Sequence, residues 1–398
     1  MTVAFSWYRC SALVNRGKWL EFADRYVGHG RGRPWDSWAA RLRFAVARTP
    51  MPREYKGPAM INIYDFWKKR EPKVVYSYVP EPTYRQKDPP EMQRMAAEII
   101  CNWDASGANC PPVFMPDFGT VTTAKPFGGK VVRSSDGAQI FIEHAAETID
   151  EALDLEPKPN GDVDQAVAIY RELCWLTRRH DIRFVTPDFQ GPLNTAAQIV
   201  KQDEFLVALY TEPKKVHQFL DRVTDTLIEF LRRLTSQLRV DGGVWPYIWL
   251  PQEFGVVVTE DLMPLLSPEL YEEFGVPYLK RISDAMGGVF VHSCGQCMHN
   301  LPVLARSGIR VLGLDFCYPY ATIETIQETL PGLVLQPGFE FFKEVEYPDF
   351  AAYVEGMIAK RRGDTCLWFA MNSHPIWQYD RVRAVLEKHG AVNVAFGS

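Results

Sequence analysis

The chain has 398 residues, with 46% hydrophobic and 23% charged side chains and a formal net charge of −5. This composition excludes a disordered chain and supplies a sizeable core, while the acidic balance argues against nonspecific binding to nucleic acid. No apolar run approaches the ~20 residues that cross a bilayer. The N-terminus lacks the basic-then-apolar order of a signal peptide, and the eight cysteines are scattered, so a reducing cytoplasm is the expected setting.

Residues 1–55 are rich in Trp, Arg and Gly and read as an N-terminal arm on a main domain of residues 56–398. Met60-Ile-Asn-Ile-Tyr64 reads as the first strand, bounded by Gly57-Pro58. Lys73 to Val79 follows as a strand or an extended loop, and Pro89 to Asp104 has helical spacing. Val113 to Gly119 reads as a strand ending in a polar loop that holds Asp117. Lys130 to Arg133 and Ala138 to Glu143 flank Asp136-Gly137, a hairpin signal and an insertion on an otherwise α/β plan.

From Asp162 the alternation is regular. A helix over Val163 to His180 leads to a strand over Ile182 to Thr186, with Asp188 and Gln190 at its exit. A long amphipathic helix over Pro213 to Leu238 carries Val216, Leu220, Val223, Leu227 and Leu231 on one stripe. Gly243 to Leu250 is the next predicted strand, with Gln252 and Glu253 at its exit. Ser267-Pro268 opens a helix as N-cap and first-turn proline. Strands over Gly288 to Ser293, Val311 to Asp315, Leu333 to Gln336 and Cys366 to Ala370 then alternate with helices. Helices between short apolar strands imply a parallel sheet, and the number of repeats suggests a (β/α)8 TIM barrel whose strand exits share one mouth.

His292 and Cys294 leave one strand end two residues apart, so imidazole and thiol face the same way, as two ligands of a zinc ion would. Gly295 then allows a sharp turn. A catalytic zinc takes three protein ligands and keeps an open position. Asp315 on the next strand and His374 after the last one are the candidates for the third. Cys297 reads as packing in the following helix, and Cys366 begins a strand, at the wrong end for the mouth. Asp117, Asp188 and Glu253 are candidates for acid–base work, with Gln190, Gln252, Tyr64, Gln336 and Asn372 as substrate contacts; each taken singly also suits a solvated loop residue or a cap.

Five stretches from residue 191 onward resemble the uroporphyrinogen decarboxylase superfamily. They are Gly191-Pro-Leu-Asn-Thr-Ala-Ala197, Glu212-Pro-Lys-Lys-Val-His-Gln-Phe-Leu220, Leu266-Ser-Pro-Glu-Leu-Tyr-Glu-Glu-Phe-Gly-Val-Pro-Tyr-Leu-Lys-Arg-Ile282, Val291-His-Ser-Cys-Gly295 and Leu312-Gly-Leu-Asp315. The resemblance implies a (β/α)8 barrel with its cleft at the strand carboxyl ends. The metal-free decarboxylase branch carries an N-terminal Arg-Gln-Ala-Gly-Arg-Tyr signature that is missing here. Arg31-Gly-Arg33-Pro-Trp35 is a poor substitute, so a polyanionic porphyrinogen would lack charge-matched hydrogen bonds.

The other branch, of corrinoid-linked zinc methyltransferases, has the His-x-Cys-Gly of His292 to Gly295 and a further cysteine after the last strand. Here Phe369-Ala-Met-Asn-Ser-His374 offers a histidine there instead. The resemblance therefore implies zinc-dependent methyl transfer between a small-molecule donor or acceptor and a thiol or a corrinoid carried on a partner protein. No membrane partner is expected, and a homo-oligomer is compatible. A metal-free decarboxylase and a non-catalytic barrel subunit are the alternatives.

Overall fold

The computed structural model describes residues 60–77, 83–85, 111–133, 140–177, 179–243, 249–339, 346–370 and 376–395. Its strands, in chain order, are β1 (Met60–Asn62), β2 (Val74–Ser77), β3 (Thr83–Arg85), β4 (Val113–Asp117), β5 (Lys130–Arg133), β6 (Ile140–Glu143) and β7 (Arg183–Phe184), then β8 (Val256–Thr259), β9 (Val289–Ser293), β10 (Val311–Tyr318), β11 (Val334–Phe339), β12 (Cys366–Ala370) and β13 (Val392–Ala395). Eight of them form one sheet in the order β1-β13-β2-β12-β11-β10-β9-β8, parallel at every pairing. A second parallel set, β3-β4-β7, stands apart, and β5 and β6 form the antiparallel hairpin expected from Asp136-Gly137. Helices follow most strands, so this is an α/β fold built on parallel sheet.

The helices form where their sequences ask for them. Ser267 caps Pro268–Phe274 by accepting from Leu270 N–H, and the stripe Val216, Leu220, Val223, Leu227 and Leu231 is buried along Pro213–Gln237. One expectation needs correction. The strand read over Met60 to Tyr64 stops at Asn62, whose side chain accepts from Tyr64 N–H and starts a helix over Ile63–Lys69. Asp65 in its first turn and Lys68 and Lys69 in its last complement the helix dipole, which tips the segment away from strand. The strand read over Gly243 to Leu250 lies mostly outside the described residues, at 244–248. Trp249 and Leu250 are not in a strand; the strand that pairs with β9 is β8, whose run Val256-Val-Val-Thr259 is wholly buried.

Apolar side chains separate into two clusters. One lies between strands and helices and takes Val258, Val291, Leu314 and Leu335 from the strands. The other takes the alternate positions Val75, Met115, Val185, Val257, Phe290, Leu312, Val334 and Trp368, with Phe66 and Trp67 of the Ile63–Lys69 helix packed on them. Both sheets thus give residues to one inner cluster. The alternation of side chains along a strand carries this inner face up to Thr259, His292 and Gln336, and on β10, where the register with β9 shifts between Val311 and Gly313, Asp315 joins the same row beside His292.

Candidate metal centre at the strand ends

Thr259, His292, Asp315 and Gln336 are direct neighbours across β8, β9, β10 and β11. They form one row near the carboxyl ends of the strands, one layer beyond the inner apolar cluster. His292 Nδ1 makes a short hydrogen bond with a carboxylate oxygen of Asp315. Its other nitrogen, Nε2, faces Asp261 Oδ1 at 3.8 Å.

Asp261 follows β8 by two residues and closes the group. Its Oδ1 accepts from Cys294 N–H at 3.1 Å and from the Cys294 thiol at 3.3 Å. Donor atoms of Asp261, His292 and Cys294 all lie within 4.8 Å of one another. One nitrogen, one sulfur and one oxygen, converging from two adjacent strand ends, suit a zinc ion with a position left open. Burial works against charge on His292, but Asp315, followed by Cys294 and Asp261, outweighs it and holds the imidazole well above its ordinary pKa.

Beside this group lies a second polar cluster. Burial pushes the Asp188 carboxyl up to about 6; Gln190 and His292 oppose the shift, and Asp261 and Asp117 add to it. Gln190 Nε2 donates to Asp188 Oδ1 at 2.7 Å, Thr259 Oγ1 does so at 3.4 Å, and Asn194 Nδ2 donates to Gln190 Oε1 at 2.9 Å. Asp117 ends β4 and accepts from Gly119 N–H at 3.0 Å. A buried carboxyl poised between its protonated and charged forms can exchange a proton near neutrality.

The sequence-predicted residues divide accordingly. His292, Cys294, Asp315, Asp188, Gln190, Asp117 and Gln336 all stand at the carboxyl end of the strands. Asp315 is not among the three clustered donors; it sits behind His292, on Nδ1. Asn372 and His374 lie outside the described residues. Glu253 and Gln252 belong elsewhere, because β8 begins after them and leaves them at its amino end, and Tyr64 stands with them through Arg239, which bonds both Tyr64 and Glu253. There Gln252 Oε1 accepts from Val240 N–H at 3.1 Å, Glu253 pairs with Arg239 at 3.1 Å, and Tyr64 Oη donates to Asp241 at 3.3 Å. Sequence reasoning missed Asp261 and its buried neighbour Glu260. The signal was present in Val256-Val-Val-Thr-Glu-Asp261, a β-branched run leading straight into two carboxylates.

A parallel α/β fold with its polar side chains gathered at the strand carboxyl ends belongs to the class in which such mouths carry the chemistry. The chain belongs to the uroporphyrinogen decarboxylase (URO-D) family, which it matches over residues 114–242 and 254–338, more than half of its length. A uroporphyrinogen decarboxylase of Myxococcus xanthus is 30% identical over 115 residues, covering 28% of this chain and 29% of that protein. The methylcobamide:CoM methyltransferase MtbA of Methanosarcina mazei is 23% identical over 179 residues, covering 44% of this chain and 49% of MtbA. The chain therefore spans between about a third and half of these curated relatives. A solved methyltransferase from Methanosarcina mazei shares the fold with a TM-score of 0.54 and 16% identity, over 89% of this chain and 99% of its own.

Proposed function

We propose that this chain is a zinc-dependent methyltransferase or demethylase that moves a methyl group between a small substrate and a thiol or a corrinoid carried on a partner protein. The convergence of Asp261, His292 and Cys294 within 4.8 Å carries the reading. Similarity to MtbA, named for a methylcobamide substrate, supports the corrinoid. Zinc bound here would keep a substrate thiol as its thiolate, or polarise a methoxy oxygen.

The chain's own residues have separate tasks. Asp315 holds the proton of His292 on Nδ1, which leaves Nε2 as the ligand nitrogen and fixes the ring. Asp261 accepts the Cys294 amide and so keeps that turn drawn toward the site. Asp188, oriented by Gln190, gives or takes a proton at Oδ2, and Asp117 and Gln336 line the same mouth as substrate contacts. We further infer that the strand sets close into one (β/α)8 barrel, with residues 1–55 as an arm on it. A cytoplasmic setting would keep Cys294 reduced.

The deciding experiment is the metal content of purified protein beside His292→Ala, Cys294→Ser and Asp261→Asn. Near-stoichiometric zinc, lost in all three variants, is the expected result. No zinc in native protein produced with zinc available would overturn the proposal. The second reading, a metal-free decarboxylase-type lyase, draws on the raised carboxyl of Asp188, and predicts turnover that survives Cys294→Ser and is abolished in Asp188→Asn.

A further inference from the structure

We propose that Gly191 and Glu260 form a positioning pair that sets the aim of Asp261, so that the first turn of the Pro192–Ile199 helix acts as a jig for the metal centre. The inference rests on reading Asp261, His292 and Cys294 as metal ligands.

Glu260 is an anomaly of the fold. Its side chain is 1% exposed, and among the described residues neither carboxyl oxygen has a hydrogen-bond partner. A buried polar group without a partner is costly, so its place calls for a geometric reason. The reason lies opposite. A methyl group on Gly191 would fall inside the van der Waals envelope of Glu260 Oε1. The carboxyl therefore occupies the space that only a glycine leaves open.

The backbone is held on both sides of this contact. Gly191 N–H donates to Thr259 O at 2.8 Å, and Gly191 O accepts from Thr195 N–H at 2.9 Å inside the helix. Glu260 N–H donates to His292 O at 2.8 Å, which binds residue 260 to the strand that carries the other two donors. On the far side of Asp261, Leu262 N–H donates to Asn194 Oδ1 at 2.8 Å. Asp261 is thus bracketed: residue 260 is seated on Gly191, and residue 262 is tied to Asn194. Both brackets belong to one helical turn, and Gln190, which orients Asp188, leads into it. Where Asp261 points, and hence its distance from His292 and Cys294, follows from how that turn meets residues 259–262.

The test is zinc affinity, measured by chelator competition on the full chain, with thermal midpoints recorded alongside. Gly191→Ala drives the Glu260 carboxyl aside and turns Asp261 away, and weakens zinc binding by about 10-fold to 100-fold, the usual effect of disturbing groups that orient ligands. Glu260→Ala also weakens binding, and Glu260→Gln, which keeps the shape, restores most of that loss. In the double variant Gly191→Ala/Glu260→Ala the new methyl enters the vacated space, so zinc binds no more weakly than in Gly191→Ala alone.

Additive losses in the double variant, or native zinc affinity in Gly191→Ala and Glu260→Ala despite lower midpoints, would overturn the pairing while leaving the metal centre intact. Absence of zinc binding in native protein would overturn the metal centre and the pairing with it. Should Gly191→Ala fail to fold, the contrast between Glu260→Ala and Glu260→Gln decides on its own.

Discussion

Asp188 is a carboxyl whose surroundings disfavour its charge. Its pKa in the folded chain, about 6, lies above the ordinary 3.8. A group raised in this way is more easily protonated folded than unfolded, so the native state holds the extra proton between those two values. The contribution of Asp188 to stability is then greatest below pH ~4, falls as the pH rises toward 6, and levels off above it. Asp188→Asn abolishes that dependence. Measured by denaturant melts from pH 4 to pH 7, the variant should gain on the native protein by up to about 3 kcal/mol, since each tenfold difference in proton affinity between the folded and unfolded states is worth ~1.4 kcal/mol. A constant difference across that range would show that Asp188 ionises normally.

Asp315 is the other residue-scale case. Replacing it with asparagine keeps the shape but removes the charge from His292 Nδ1, and zinc should bind about 10-fold to 100-fold more weakly. Unchanged affinity in a competition titration would remove Asp315 from its place behind the ligand. His292 and Cys294 were legible in the sequence because the period of a strand puts neighbours two apart on one side. Asp315 was legible as a carboxylate of the site, yet one dimension cannot tell a ligand from the group behind it. Asp261 comes from a different strand, and only the pairing of β8 with β9 brings it to the other two.

At the scale of elements, regular apolar alternation was readable wherever helices and strands kept ordinary lengths. β9, β10, β11 and β12, with the helices between them, fall close to where the sequence puts them. β8, a four-residue β-branched run, was passed over beside the longer apolar stretch ending at Leu250, and because β8 begins after Gln252 and Glu253 these two precede a strand instead of following one. Tyr64 went astray for a related reason, since Met60 to Tyr64 is apolar enough for a strand until the cap at Asn62 is recognised.

β10 also shows a dependence that the sequence alone conceals. A methyl on Gly313 would collide with the ring of Phe290 on β9 and with the carbonyl of Val334 on β11. Phe290 is fully buried two residues before His292. Gly313→Ala should therefore cost about 1–3 kcal/mol by overpacking, visible as a lower denaturant midpoint. A variant as stable as the native chain would mean that the three strands can part more readily than their register implies.

For the whole molecule, the proposed centre joins two adjacent strand ends to the buried cluster around Asp188, so metal binding and global stability should be linked. A ligand that binds only the folded state stabilises it by about 2.7 kcal/mol at 100 times its dissociation constant. Zinc should accordingly raise the thermal midpoint of the native chain and a chelator should lower it, with neither effect in Cys294→Ser. The sign of the pH dependence follows from His292. Its raised pKa means that, without metal, its contribution is fully present below the ordinary histidine value and is lost as the pH rises through the raised one. Zinc needs the unprotonated nitrogen and has to displace that proton. The metal-free chain thus gains from His292 on the acid side, where zinc competes worst, so the zinc-induced rise in midpoint should grow steadily from pH 5.5 to pH 8. A rise that is the same at both ends of that range, or that persists in Cys294→Ser, would mean that zinc binds somewhere other than between these strand ends.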